Sequence, residues 1–416
     1  MRIIVGELKK VWNVKILLIM AALSVMYFIS FMQWEIESYP RGTWMLSVDI
    51  AHHLTENYGT TLEPGDFEDF LTYEETIIRE VTEFIASRQV LADAGIFDFD
   101  DYLAFRDEFG PRYLYLSDEE RNRWYAVTGE FGTIIRTIDG TIIQPNPYEP
   151  SMAYNKWIDF QNVVGLYQTN ILRETEWGTF IDGFIYGTPR ANEREIQRAM
   201  EIRDSGELTN ILPFFTMSHT WRYARSLAVF VILATLILVS PLVVTDRANK
   251  VNWLQYSSKQ GRRIIKKQFV AALISAILMT TILVLVFAGV YGAATGVHAF
   301  WNTGINSFLN GQFYWLSITF GQYCLLMIGL LYLLSIGAAA FAFVLSRFSQ
   351  NRIKLLFKVV PFFVAGITLS NWILHNFLAI FEGGNFVLQL SVLAVSVFAG
   401  MVTAMVVVRS EQRVEL

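Results

Sequence analysis

Six runs of apolar residues, each near or above the roughly 20 needed to cross a hydrocarbon core of about 30 Å, constrain this 416-residue chain more than any other feature. They cover approximately 16–33, 223–244, 269–291, 313–345, 359–380 and 386–408. Composition agrees, because 53% hydrophobic residues with only 17% charged exceeds the apolar content of an ordinary soluble protein of this length. The first run follows Lys9, Lys10 and Lys15, as the core of a signal peptide would. It is longer than a cleavable segment, however, and no small-x-small site follows before Trp34 and Glu35, so it reads as an uncleaved span.

Basic residues set the orientation. Arg2, Lys9, Lys10 and Lys15 precede span one; Arg247, Lys250, Lys259, Arg262, Arg263, Lys266 and Lys267 follow span two. Arg347, Arg352, Lys354 and Lys358 follow span four, and Arg409 and Arg413 lie in the tail. The alternate connections 292–312 and 381–385 have neither Lys nor Arg, so six spans with both termini cytoplasmic fit every short loop. The remaining connection, 35–220, is large enough to be a domain and holds 33 of the 38 carboxylates against 14 basic residues, a net of −19. Span parity places it outside.

Within that domain Glu63-Pro64-Gly65-Asp66 reads as a helix start, with Asp66 capping and Glu68 and Asp69 in the first turn. Phe67, Phe70, Leu71, Glu74, Ile77, Ile78, Val81, Phe84 and Ile85 continue a helix to about Leu91 with one buried face. Further helices are expected over 98–109, ended by Gly110-Pro111, over 118–124, and near 192–207. Asp139-Gly140 between two Thr/Ile-rich runs is the strongest hairpin signal. The fold expected is an α-helical polytopic membrane protein with six transmembrane helices and a mainly helical α+β extracellular domain inserted between helices 1 and 2. Its divisions are 1–34, 35–220 and 221–416, the last containing a cytoplasmic loop at 245–268.

The chain has no G-x-x-x-x-G-K-[ST], H-E-x-x-H or G-x-S-x-G, and no G-x-G-x-x-G between a strand and a helix. It therefore has no phosphate-cradling loop of its own for ATP hydrolysis, and it is not read as an enzyme. The single cysteine, Cys324, excludes an intramolecular disulfide and a Cys-rich metal centre. His52 and His53, with Asp49 and Glu56 nearby, are metal or acid/base candidates. Adjacent histidines point to different sides of a helix, so ordinary surface positions are preferred for them. The acidic runs 63–75 and 98–108 lack the order of a calcium loop and read as solvated helix faces rather than a cation trap.

Few ionisable residues lie at depth in the spans, which argues against a proton- or ion-coupled carrier. Asn371, Trp372, His375 and Asn376, followed by Glu382, are candidates for a translocation path or its outer gate, as are His298 and Trp301 in the loop 292–312. The alternative for all of them is an interfacial polar and aromatic anchor. Ser335, Gly337, Ala338, Ala339 and Ala340 form a small-residue face suited to close helix packing.

The segment 246–269 is the most informative. A short amphipathic element is followed by a basic helix start, suited to anionic lipid headgroups or to docking on a cytosolic partner. Ser257, Ser258 and Gly261 interrupt the polybasic run and favour docking. Together with Glu7-Leu8-Lys9-Lys10-Val11-Trp12 before span one and the large segment after it, this loop resembles the permease subunits of ABC-2 type transporters, particularly those of Gram-positive bacteria. Asp246 stands at the family's acidic position, Asn249 near its usual glycine, Ser257 and Ser258 at its serines, Gly261 and Arg262 at its Gly-Arg step, and Lys266 or Lys267 at its lysine.

The resemblance implies a six-span half-transporter in a bacterial cell membrane, pairing with itself or a related permease and with two copies of a cytosolic ATPase. It implies no cofactor on this chain, ATP and Mg being held by the ATPase, and membrane lipids but no nucleic acid among its other partners. Glu7, Lys10, Asp246, Asn249, Ser257, Ser258, Gly261, Arg262 and Lys266 would then couple ATP-driven closure to switching of the permease. Export of a peptide, a lipid-like or a drug-like molecule is the direction implied. The competing reading is a membrane sensor or assembly scaffold whose acidic domain binds a peptide, cation or cell-wall ligand without transport.

Overall fold

Hydrocarbon supplies no partners for backbone N–H and C=O groups, so a chain that crosses a bilayer repeatedly without a closed barrel does so as helices. The computed structural model describes residues 2–39, 48–131, 135–136, 142–143, 152–173, 181–183, 192–251, 261–380 and 385–413. Among these, six helices are long and apolar enough to cross: Val14–Glu37, Phe214–Ala248, Ile264–Thr295, Phe320–Arg347, Arg352–Leu374 and Phe386–Gln412, here spans 1 to 6. The chain is a multi-pass membrane protein. Its residues form two units, Met1–Tyr39 with Thr216–Ile305 and Gln312–Leu416, and Pro40–Phe215 with Asn306–Gly311.

In the membrane unit span 4 is the central element, packed on spans 3 and 6. Its small residues allow the approach, since Ser335, Ala338, Ala339 and Ala340 are buried. A Cβ on Gly337 would lie 3.3 Å from Val397 Cγ2, and one on Gly400 only 2.9 Å from the Phe341 ring. Spans 1 and 5, in contrast, leave Leu18, Ile29, Leu356 and Val364 exposed. Apolar faces of this kind are at home in lipid.

Several span ends differ from the sequence reading, span 2 starting at Phe214 rather than 223, and those of spans 4 and 5 have a specific cause. Span 4 starts at Phe320 rather than 313, because Thr319 and Gln322 form a capping box: Thr319 N–H donates to Gln322 Oε1 at 3.0 Å and Gln322 N–H to Thr319 Oγ1 at 3.2 Å. Span 5 stops at Leu374 rather than 380. Gln389 Nε2 of span 6 donates to the Trp372 and His375 carbonyls at 3.0 and 3.1 Å, and Asn376 and Leu378 adopt positive φ of 45° and 72°. The freed segment pairs instead with the stretch before span 4, Trp315 N–H donating to Leu378 O and Ile380 N–H to Phe313 O.

The acidic unit is built from helices Val48–Tyr58, Pro64–Ala86, Gln89–Asp93, Phe99–Phe109, Asp118–Glu130, Met152–Tyr167 and Glu193–Asp204. Their starts follow the side-chain chemistry of capping. Pro64 occupies the first helical position, where its missing N–H is harmless, and Asp66 accepts from Glu63 N–H at 3.3 Å. Asp98, Ser117 and Asn192 each cap the helix that follows. The helix expected to reach Leu91 ends at Ala86, and that expected over 118–124 runs on to Glu130. The core is aromatic: Tyr102 stacks on Phe131 at 3.9 Å, Phe67 on Tyr167 at 4.2 Å, and Phe70 meets Phe160 at 4.9 Å.

The α+β description of this unit is corrected. The β-structure among its described residues, apart from isolated bridges, is a two-residue antiparallel ladder, Ile135 opposite Ile143 and Arg136 opposite Ile142. That is a hairpin and not a sheet layer, and the aromatic core is closed by helices alone.

Segment Asn306–Gly311, although it lies between spans 3 and 4, belongs to the acidic unit. Ser307 Oγ accepts from Leu212 N–H at 2.9 Å and donates to Asn210 O at 2.6 Å. Phe308 N–H donates to Leu208 O at 2.8 Å, its ring lies edge-on to Tyr167 at 5.2 Å, and Asn306 Nδ2 donates to Glu207 Oε2 at 2.6 Å. Phe308 and Leu309 are buried.

Candidate functional site

Helix Arg2–Val11 is short and amphipathic, with Glu7, Lys10 and Val11 on one face by their three- and four-residue spacing. That face meets the end of span 2 and the start of span 3. Lys10 Nζ lies 2.8 Å from Glu7 Oε1 and 3.0 Å from Asp246 Oδ2. Gln268 Nε2 donates to Asp246 Oδ2 at 2.8 Å and to Glu7 Oε2 at 3.3 Å. Two turns further along span 3, Ser275 Oγ accepts from Trp12 Nε1 at 3.1 Å. Glu7, Asp246 and Gln268 are only 3%, 6% and 2% exposed, so two buried carboxylates share one buried amide and the ammonium of the more exposed Lys10. Burial by itself would lower the Lys10 pKa, but the hydrogen bonds and charges of Glu7 and Asp246 outweigh it and the net direction is upward.

A break in span 2 presents Asp246 to this cluster. Pro241 has no N–H to continue the ladder and starts a separate helical piece, Pro241–Ala248. The N–H groups of Val243 and Val244 both donate to Ser346 Oγ of span 4 at 3.2 Å, which satisfies donors that the break would leave open. Arg247 donates to the carbonyls of Ser349 and Arg347 at 2.8 and 2.9 Å, and Arg347 Nε to Glu411 Oε1 at 2.7 Å. The N-terminal helix and spans 2, 3, 4 and 6 are thus joined at one end by a continuous polar network.

Beyond Asp246 the chain turns. Asn249 caps the helix with its N–H on Thr245 O at 3.0 Å, and Lys250 adopts a left-handed φ of 56°. Gly261, at φ 51°, precedes the turn into span 3, a conformation that glycine adopts without strain. Lys266 is exposed at the start of that span, and Ser257, Ser258 and the side chain of Arg262 lie outside the described residues. Of the proposed coupling positions the structure therefore gathers Glu7, Lys10 and Asp246 into one cluster, and places Asn249, Gly261 and Lys266 on the flanking turns.

The candidates for a gate or substrate path have separate partners. Trp301 covers Gly321, where a Cβ would fall 2.5 Å from the indole, and His298 is exposed beside it in sequence. His375 meets Trp221 edge-on at 5.3 Å, its N–H donates to Asn371 O at 3.1 Å, and Nε2 lies 3.4 Å from Asn376 Nδ2. Glu382 lies outside the described residues. In the acidic unit His53 stacks on Tyr73 at 3.6 Å; burial and then the charge of Lys156 lower its pKa. Among the described residues no group of three His, Cys, Asp or Glu side chains is arranged to hold a metal, so His52 and His53 gain no further ligand there.

Gln268 was not singled out by the sequence, since a lone glutamine at the start of an apolar run has no motif to mark it. The same holds for His219 and Glu35, far apart in the chain, whose Nδ1 and Oε2 lie 3.0 Å apart in the membrane unit, with Tyr39 edge-on to the imidazole at 5.7 Å. Comparison with protein-family models, with curated proteins and with solved structures returns no match to this chain.

Proposed function

We propose that the chain is the permease subunit of an ATP-binding cassette exporter of the ABC-2 type, working with a separate cytosolic ATPase that binds ATP and Mg. In this reading it lies in a bacterial cell membrane with both termini in the cytoplasm, and pairs with a second permease copy or relative. The observation that supports the reading is the gathering of buried Glu7, Asp246 and Gln268 around the solvent-facing Lys10 ammonium. A charged contact between a peripheral helix and the end of span 2, 236 residues away, adds nothing to spanning a bilayer, and the desolvation of its carboxylates is offset by the close ammonium and amide hydrogen bonds that hold the two elements together. Held so, the helix and the loop move as one body, and a push on the loop's exposed flank at Lys266 reaches spans 2 and 3 together. The cargo is a molecule of the outward path, of peptide, lipid-like or drug-like chemistry.

A photo-crosslinker at Lys266, activated in intact membranes, tests the docking surface. The expected product is a covalent adduct with a nucleotide-binding chain. An adduct with a kinase or response regulator, or none with any ATPase, would overturn the reading in favour of a sensor or scaffold.

A further inference from the structure

Apart from the four basic clusters at 2–15, 247–267, 347–358 and 409–413, the membrane unit has two positively charged residues, Arg222 and Arg225. Both stand near the start of span 2, at the end of the bundle opposite those clusters. In the orientation read from the basic loops this is the outer interface, where Lys and Arg are otherwise absent from the short connections. Both guanidinium groups lie by the same indole: Arg225 Cζ is 5.0 Å and Arg222 Cζ 5.8 Å from the Trp221 ring centre. Cation–π attraction accounts for each singly. It does not account for two like charges on one ring with no counter-charge, and among the described residues neither guanidinium has an ion pair or hydrogen bond. His375, exposed and edge-on to the same indole at 5.3 Å, adds a further polar group to this cluster of half-buried guanidinium groups and aromatic surface. An anion is the missing component.

What lies inward of the cluster narrows the anion. Trp221, Arg225 and Ile232 share one face of span 2, by spacings of 4 and 11 residues. Ile232 stands about 16 Å of helix from Trp221. There span 2 meets span 5, a Cβ on Gly366 falling 3.3 Å from Ile232 Cγ2. At that level an apolar cavity of about 50 Å³ opens, lined by Ile232, Leu334, Phe341, Phe362, Gly366 and Leu369 among others. Its lining has no polar surface, so it takes hydrocarbon and not water. A cationic cluster at the interface and an apolar recess about one leaflet inward, both reached along span 2, match a molecule with an anionic head and a long alkyl chain.

We propose that Trp221, Arg222, Arg225 and His375 hold the phosphate of an anionic glycerophospholipid of the outer leaflet, one acyl chain of which follows the crevice between spans 2 and 5 to the cavity at Ile232 and Gly366. The planar guanidinium groups suit a phosphate better than a point charge does. Its occupancy is independent of any partner at the other end of the bundle, so the site stands whether or not the chain is a permease.

Native mass spectrometry of the full chain in mild detergent, titrated with dioleoyl phosphatidylglycerol and dioleoyl phosphatidylcholine, tests the site. The wild type is expected to bind one phosphatidylglycerol at least tenfold more tightly than phosphatidylcholine. Arg222→Gln with Arg225→Gln should erase that preference, whereas Lys266→Gln with Lys267→Gln, which removes cytoplasmic charge, should leave it. Gly366→Val, with both arginines intact, should weaken the dioleoyl lipid and spare dihexanoyl phosphatidylglycerol. An undiminished preference in the arginine variant, its loss in the lysine variant instead, equal weakening of short and long lipids by Gly366→Val, or complete displacement of the lipid by millimolar inorganic phosphate would overturn the proposal.

Discussion

Gln268 carries more of the cluster than its neutrality suggests, because its amide donates to both carboxylates where no water replaces it. Gln268→Leu leaves those oxygens short of a donor and is expected to cost about 1–3 kcal/mol. Denaturant unfolding in detergent reads that loss, and protease cleavage before span 1 reads the release of the N-terminal helix. The charge of Lys10 acts differently with pH. Its folded pKa is raised above the ordinary 10.5, so its contribution is complete below that value and is lost only as pH rises through the folded pKa. Helix attachment should therefore be flat from pH 6 to about 9 and weaken above about 10.5. His53 has the opposite sign. Its pKa is lowered, so the stability it contributes is present above its ordinary 6.5 and falls as pH drops through the folded value. His53→Phe keeps a ring against Tyr73 and should flatten the acid limb of the acidic unit's unfolding between about pH 7 and 5.

At the scale of elements, the segment Asn306–Gly311 makes the acidic unit more than an insertion held at its two ends. Phe308 fills a place beside Tyr167, and Ser307 pairs two backbone groups of the 210–212 stretch. Phe308→Ala is expected to destabilise the acidic unit by about 3–5 kcal/mol. Protease cleavage within 48–204 would rise, with the spans still folded by circular dichroism. Among the spans, Gly400→Val drives a methyl into the Phe341 ring from a Cβ position already 2.9 Å away, and about 1–3 kcal/mol of overpacking should separate spans 4 and 6. The elements themselves were largely legible. Apolar runs located all six spans, and the Asp98, Ser117 and Asn192 starts follow from short polar side chains ahead of helical periodicity. The start of span 4 was missed although Thr319-x-x-Gln322 is written in the chain, because hydropathy continues through Phe313 and Tyr314 into a segment that is buried without being helical. The contribution of 306–311 was illegible for a different reason: its partners lie near residue 210, and pairing over such separation leaves no local signature.

For the whole molecule, the same distinction between local and distant information holds. The number of spans and the acidity of the long segment are properties of composition along the chain. The cluster at Glu7 and Asp246 is a tertiary fact: each residue was singled out through a loop and a helix resembling a transporter family, but their meeting at Lys10 and the part played by Gln268 required the fold. In the proposed permease this cluster passes work from a separate ATPase into the spans. The most direct measurement is ATP hydrolysis by the complex that co-purifies with the tagged chain, for the wild type and for Asp246→Asn, with the subunit ratio determined by mass spectrometry. A permease should bring down a stoichiometric nucleotide-binding subunit whose hydrolysis rate changes at least tenfold in the variant while the subunit stays bound. A chain that purifies without any ATPase from several detergents, or one whose hydrolysis is indifferent to Asp246, would contradict it.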